Sequence, residues 1–351
     1  MNILELLHEA RRVGASDVHL VSGRAPMWRI HGYIEPSPAE PLTSDTIRSL
    51  IFDLLDDSQR RAFEAAHELC FSLEFGELGF FRFSVAAAMG RVEASIRVGA
   101  LELPTLGELG LPDVLLEAVR RPSGLFLVTG PTGVGKTTTL NALLASINRE
   151  ERKKIVTIED PVEYLHPQAR SLVVQREVGR DTASFHTGIV HALRQDPDIV
   201  CIGEMRDLPT ISAALTAAET GHLVLATLHT SSAAQTVNRI VDVFPPAQQT
   251  QVRIQLASTI QGVFAQRLLP RADGRGRLLV YELLLANTAA RAMIRDGRAH
   301  QLNNVIQTGA TRGMRQMDTM IREAYAAGDI TYDVALGAMN EPDALTSRPL
   351  R

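Results

Sequence analysis

The stretch from Gly124 to Leu144, GLFLVTGPTGVGKTTTLNALL, constrains this chain more than any other. Apolar, β-prone residues from Leu125 to Thr129 run into Gly130-Pro131-Thr132-Gly133-Val134-Gly135-Lys136-Thr137-Thr138, and a helical pattern with Leu140, Leu143 and Leu144 follows. Strand, glycine loop and helix in that order make a phosphate-binding loop. Gly130, Gly133 and Gly135 let backbone N–H groups curl around a polyphosphate, the helix start adds its positive dipole end, and Lys136 adds a full charge. The Thr137 hydroxyl is the expected ligand for Mg2+. The chain has only three lysines, Lys136, Lys153 and Lys154, so chance placement of one behind this glycine spacing is a poor explanation. ATP or a related nucleotide is the expected ligand.

A chain of 351 residues can hold two domains, each with its own core. Its 36 basic and 40 acidic residues leave a net charge of −4, and aromatic residues are 5% of the chain. No basic stripe with interleaved aromatics occurs, so no nucleic-acid partner is expected. Cys70 and Cys201 lie far apart in apolar, strand-like runs with no CxxC pair, which reads as two buried free thiols in a reducing compartment and no zinc site. The N-terminal MNILELLHEARR carries Glu5 and Glu9 inside its apolar pattern, unlike a signal peptide. The longest charge-free stretch, Thr220 to Asn238, is too polar to span a membrane. The expectation is a cytoplasmic, soluble protein.

Residues 2 to 13 read as an amphipathic helix ending at Gly14. Strands are expected at Asp17 to Val21, Met27 to Ile30, Cys70 to Phe75, Phe80 to Ala87 and Val92 to Val98, with helices near Ser44 to Leu55 and Ser58 to His67. This gives an α+β domain over residues 1–98. Arg82 and Arg97 fall in neighbouring strands, where pattern alone makes them ordinary solvated residues. Residues 99–111, with Pro104 and three glycines, read as a link, and Pro112 as the start of a helix to Arg120. Residues 112–339 form the second domain, and the tail from Asn340, with Pro342 and Pro349, reads as disordered.

In the second domain each short apolar strand ends in polar or charged residues. Leu125 to Thr129 ends in the phosphate loop, Lys154 to Ile158 in Glu159-Asp160, Ile199 to Ile202 in Gly203-Glu204, and Leu223 to Leu228 in His229. Helical runs, including Thr187 to Arg194 and Thr210 to Thr220, separate them. Alternation of this kind predicts an α/β fold with a parallel sheet covered on both faces and a ligand at the carboxyl ends of the strands. Glu204 is placed as a Walker B carboxylate, able to orient the water that attacks a terminal phosphate, although Gly203 precedes it where many such loops have Asp. The competing role for Glu204 is an ion pair with Arg206 at a helix start. Glu159, Asp160 and Glu163 crowd three carboxylates around Pro161, and beside a triphosphate they read as metal- and water-positioning groups, with Glu163 the direct participant. His222 and His229, seven apart, bracket one strand, and an ideal strand points them to opposite faces.

Four blocks together, GPTGVGKTTT (130–139), TIEDPVEYLH (157–166), LRQDPDIVCIGEMRD (193–207) and TGHLVLATLHT (220–230), resemble in content and order the type II/IV secretion ATPase superfamily, and within it the pilus retraction branch. ASDVHLVSG (15–23) and NNVIQTG (303–309) extend the resemblance over nearly the whole chain. It implies a RecA-like P-loop domain behind an N-terminal α+β PAS-like domain, assembled as a homo-hexamer that hydrolyses ATP between subunits to power pilus retraction and twitching motility. It further implies Lys136 and Thr137 for phosphate and Mg2+, Glu163 and Glu204 as catalytic carboxylates, and His222 and His229 as couplers of nucleotide state. Arg82, Arg97 and Arg239 match arginines that family members bring toward the γ-phosphate. The implied partners are an inner-membrane platform protein at the pilus base and a paralogous accessory ATPase, with the ring peripheral on the cytoplasmic face. Val134 stands where the family usually has Ser. The segment Ala290 to Asp296, ARAMIRD, departs from the usual AIRNLIRE, a stretch tied in the family to retraction more than to hydrolysis.

Overall fold

The computed structural model describes residues 2–30, 32–99, 103–342 and Leu345. It divides into two compact units, one of Met1–Glu102 with Pro161–Leu165, the other of Leu103–Asp160 with His166–Arg351. The assignment of Pro161–Leu165 to the first unit has no counterpart in the sequence reading.

The first unit begins with the helix Ile3–Arg12. Asn2 and Glu5 close a reciprocal capping box at its start, and Arg11 and Arg12 face the negative end of its dipole. Leu6, Leu7 and Ala10 are buried against a six-stranded antiparallel sheet of order β3-β2-β1-β6-β5-β4. The strands are β1 (Asp17–Leu20), β2 (Met27–Ile30), β3 (Tyr33–Pro36), β4 (Glu68–Glu74), β5 (Phe80–Ala88) and β6 (Arg91–Val98). Strict alternation organises the sheet: Phe81, Phe83 and Val85 of β5 and Val92, Ala94 and Ile96 of β6 face the core, and the residues between them face outward. The same alternation corrects the reading of Cys70. It is exposed, because Phe71 takes the core position and Cys70 turns outward beside Ser84, 3.7 Å from its hydroxyl. Cys201 is buried in the second unit.

The second unit is built on a seven-stranded sheet of order β13-β12-β7-β11-β10-β8-β9. Its strands are β7 (Gly124–Thr129), β8 (Lys154–Glu159), β9 (Leu172–Glu177), β10 (Ile199–Ile202), β11 (Leu223–Leu228), β12 (Ile260–Pro270) and β13 (Arg277–Leu285). All neighbours run parallel except β12 and β13, which form an antiparallel edge. Every residue of β7 and β11 is buried, as befits strands covered on both faces. Separate apolar cores lie on the two sides of the sheet, one around Leu127, Val200 and Leu256, the other around Phe126, Leu143 and Phe264. β3, β9 and β12 were not read from the sequence. β3 is exposed throughout and β9 carries Gln175, Arg176 and Glu177, so neither shows a buried-strand pattern. β12 continues directly from the helix Pro246–Thr259 with no turn residue between them.

The tail begins in an ordered way: the Asp318 carboxylate accepts from the Asn340 and Glu341 N–H groups, and Leu345 is buried. The rest of the expected disordered tail, residues 343–344 and 346–351, lies outside the described residues, as do 100–102 of the expected link. Among the described residues no helix is long and apolar enough to cross a membrane.

Candidate nucleotide-binding site

The order β7-β11-β10-β8 places four parallel strand ends side by side, carrying in turn the phosphate loop, His229, Glu204 and Glu159. Gly130, Gly133 and Gly135 have φ of +145°, +80° and +85°, conformations that L side chains rarely adopt. At Gly130 a Cβ would lie 2.4 Å from the Gln266 carbonyl oxygen and 2.9 Å from Val134 Cγ2. The helix Lys136–Glu150 that follows has Gly135 as its N-cap and no side-chain cap, so its first N–H groups point into the loop for an anion.

Lys136 is buried, and its ammonium donates to the carbonyls of Gly130 at 2.8 Å and Pro131 at 2.9 Å. Burial lowers its pKa and the nearby Glu204 charge opposes that shift. His229 joins the two: Nδ1 lies 3.3 Å from Lys136 Nζ and 3.5 Å from Thr132 Oγ1, and Nε2 lies 2.9 Å from Glu204 Oε1. An ammonium only donates, so Nδ1 accepts and Nε2 carries the proton given to the carboxylate.

Glu204 also receives a two-pronged guanidinium contact, Arg206 Nε to Oε1 at 2.6 Å and a terminal nitrogen to Oε2 at 2.7 Å. Burial raises the Glu204 pKa, but the hydrogen bonds from Arg206 and His229 outweigh it and hold the group below the usual carboxylate range. Glu204 therefore reaches the phosphate loop through His229 and pairs with Arg206. Gly203 has a packing reason, since a Cβ there would meet Ile158 O at 3.3 Å and Glu159 Cα at 3.4 Å.

The remaining expected residues are distributed unevenly. Thr137 and Thr138 are half-buried on the first turn behind the loop. Glu159 is buried at the end of β8, accepting from Thr157 Oγ1 at 2.6 Å and Gln175 Nε2 at 3.1 Å, so its carboxylate braces the sheet. Glu163 is exposed on Pro161–Leu165, the segment that belongs to the first unit. His222 stands before β11, its Nδ1 within 3.1 Å of Ala217 O and Thr220 Oγ1. A six-residue strand separates it from His229, roughly 20 Å, and this chain does not bring it to the loop. Arg239 is exposed on the helix Ala233–Asp242, whose first N–H donates to the buried carboxylate of Glu282 at 2.7 Å. Arg82 and Arg97, in the first unit, are directly opposite each other across β5 and β6. Asp17 on β1 pairs with Arg97 at 3.1 Å, and Arg29 on β2 stands opposite Asp17, so a cross-strand row of three arginines and one carboxylate lines the outer face of that sheet. Like charges directly opposite on a sheet are destabilising, so the Arg82–Arg97 pair has no structural benefit of its own.

Sequence reading missed Gln266. It is buried on β12, where Nε2 donates to Val134 O at 2.6 Å and Oε1 accepts from Thr139 Oγ1 at 2.9 Å, bracing the phosphate loop from behind. A lone amide in the apolar run GVFAQRLL was its signal. Gly130→Ala is expected to cost about 1–3 kcal/mol from backbone strain and to abolish binding of a fluorescent nucleotide, because relieving the contact with Gln266 O displaces the loop. A thermal melt and a titration check both parts, and unchanged nucleotide affinity would show that the loop tolerates a side chain there.

The donor set suits a nucleotide with Mg2+. An uncapped helix start and a buried ammonium face the phosphate positions, and the oxygen donors Thr137 and Glu204 suit a hard cation that keeps several waters and takes phosphate oxygens. Among the described residues no cluster of three or more His, Cys, Asp or Glu could hold a metal without such a substrate.

A RecA-like sheet with a phosphate loop, and a carboxylate and a histidine on the adjoining strand ends, defines the class of P-loop nucleoside triphosphatases. Within that class the chain belongs to the family described as Type II/IV secretion system protein, which it matches over residues 97–333. It is 42% identical to the type IV pilus retraction ATPase PilT of Pseudomonas aeruginosa over 335 residues, 95% of this chain and 97% of the relative. It is 36% identical to the type IV pilus ATPase PilU of the same organism over 96% of this chain and 88% of that one. A crystal structure of the pilus retraction motor PilT with bound ADP superposes with a TM-score of 0.92 at 44% identity, covering 98% of both chains.

Proposed function

We propose that the chain is an ATP-hydrolysing motor of type IV pilus retraction, acting as a homo-hexameric ring. The observation that carries this reading is the Lys136–His229–Glu204 constellation at the phosphate loop, set in a chain similar to PilT over nearly its full length. Lys136, the loop N–H groups and Thr132 bind the β- and γ-phosphates. Thr137 and Glu204 would hold Mg2+ together with its waters, Glu163 is the further carboxylate proposed for it, and the ion would supply positive charge against that developing on the transferring oxygens. Glu204 orients the attacking water and takes up its proton, which requires the Arg206 contact to open. Arg206 is 73% exposed and the Asp160 charge also acts on it, so it has a second acidic partner to move to. His229, bonded to both Lys136 and Glu204, ties occupancy at the phosphates to the orientation of the carboxylate.

Arg82, Arg97 and Arg239 supply γ-phosphate contacts at a site completed between subunits. The proposed partners are an inner-membrane platform protein and a paralogous ATPase, and the proposed place is the cytoplasmic face of the membrane. Steady-state ATP hydrolysis measured across protein concentration tests the reading. Specific activity that rises steeply as subunits assemble, with dependence on Mg2+, is the expected result. Concentration-independent turnover would reject shared sites, and no turnover would favour a nucleotide-dependent switch.

A further inference from the structure

The excursion Pro161–Leu165, which carries Glu163, is tied down at both ends by buried side chains that the proposed reaction leaves unused. One amide joins the two ends: Gln175 Nε2 donates to Glu159 Oε1 at 3.1 Å on the outgoing side, and its Oε1 accepts the His166 N–H at 2.8 Å on the return side. The His166 ring then reaches the phosphate-loop helix, with Nε2 2.9 Å from Asn141 Oδ1. Seven residues further along the same helix, Asn148 Nδ2 donates to Pro167 O at 2.7 Å. Two turns apart on a helix is the same face, so Lys136–Glu150 presents Asn141 and Asn148 together toward His166 and Pro167, apart from its other buried polar residues Lys136, Thr139 and Ser146.

Asn141, Asn148 and His166 are each at most 6% exposed. Buried polar groups cost free energy unless paired, and apolar packing would hold a loop end at less cost, so the directional bonds serve placement. Burial pushes the His166 pKa down to about 4, so its ring is neutral and Nε2–H donates to the amide oxygen with no buried charge.

We propose that Asn141, His166 and Gln175 are positioning residues that fix the two ends of the Glu163 loop to β9 and to the phosphate-loop helix, so that turnover through Glu163 depends on them. The proposal rests on the hydrolysis reading above and extends it to residues outside the site.

The test is a double-mutant cycle on the full-length chain, with kcat and KM for ATP and the affinity for a fluorescent nucleotide read separately. Asn141→Ala and Gln175→Ala are each expected to lower kcat roughly 10- to 100-fold while nucleotide affinity stays within about 2-fold. His166→Gln, which keeps a donor at about the same reach as Nε2, is expected to retain more turnover than His166→Ala. In a Glu163→Gln background the same substitutions should cost less than about 2-fold, because their path runs through Glu163. Equal losses in both backgrounds, or loss of nucleotide affinity in step with kcat, would overturn the proposal. Absence of wild-type turnover above that of Glu204→Gln would instead overturn the hydrolysis reading itself.

Discussion

Glu204→Gln is expected to bind nucleotide with near wild-type affinity while ATP turnover falls by roughly 10³-fold, within the range that loss of a general base costs. The phosphate contacts of the proposed site come from Lys136, the loop and Thr132, none of which the substitution removes. The amide is nearly isosteric with the carboxylate, and its Oε1 can still accept from His229 Nε2–H, now 2.9 Å from the acid. What is lost is the charge that orients water and accepts its proton. Arg206 loses its ionic partner as well, but it is largely exposed, so the fold loses little. Nucleotide affinity and single-turnover hydrolysis, measured on the same preparation, separate the two functions. Turnover within a few fold of wild type would remove Glu204 from the chemistry and leave its pairing with Arg206 as its whole role.

Arg97→Ala is the second large effect, expected at roughly 10³-fold or more in turnover if its guanidinium stabilises the transferring phosphoryl group of a neighbouring subunit. The structure makes this a clean experiment. Arg97 is 67% exposed, and its ion pair with Asp17 is of the surface kind that contributes at most about 1 kcal/mol. Relief of repulsion from Arg82 directly across the strands offsets part of that loss. The melting temperature should therefore hardly move while activity collapses. Activity should return partly when Arg97→Ala subunits are mixed with Lys136→Ala subunits, since each then supplies what the other lacks. Wild-type turnover by Arg97→Ala alone, or no recovery in mixed rings that retain one intact interface, would reject the shared site.

Much of the candidate site was legible because its residues are local in sequence. The phosphate loop needs its glycines at 130, 133 and 135 to adopt positive φ and its lysine at the first helical turn, and consecutive residues carry all of that information. Glu204 and His229 were legible one step further out, as polar residues closing apolar strands, because a parallel sheet brings such ends together whatever the strand order. The resemblance of four blocks to secretion ATPases supplied Arg82, Arg97 and Arg239, which periodicity alone left as solvated residues.

What the sequence could not specify depends on contacts between distant segments. Cys70 reads like Cys201 along the chain, yet the pleat of an edge strand turns one thiol to solvent while coverage on both faces buries the other. Glu159 and Glu163 look equivalent in TIEDPVEYLH, but Gln175, sixteen residues on from Glu159, captures that carboxylate at the end of β8, while Glu163 is carried outward on a segment of the first unit. His222 and His229 share a motif and are divided by the full length of β11. Gln266 reaches the phosphate loop from more than 100 residues away because β12 lies beside β7. The sequence by itself determined the chemistry of the loop and the class of fold, since both follow from residue type and spacing. Only the tertiary structure decided which carboxylate is buried and which is free, because that choice is made by hydrogen-bond partners that the fold alone brings within reach.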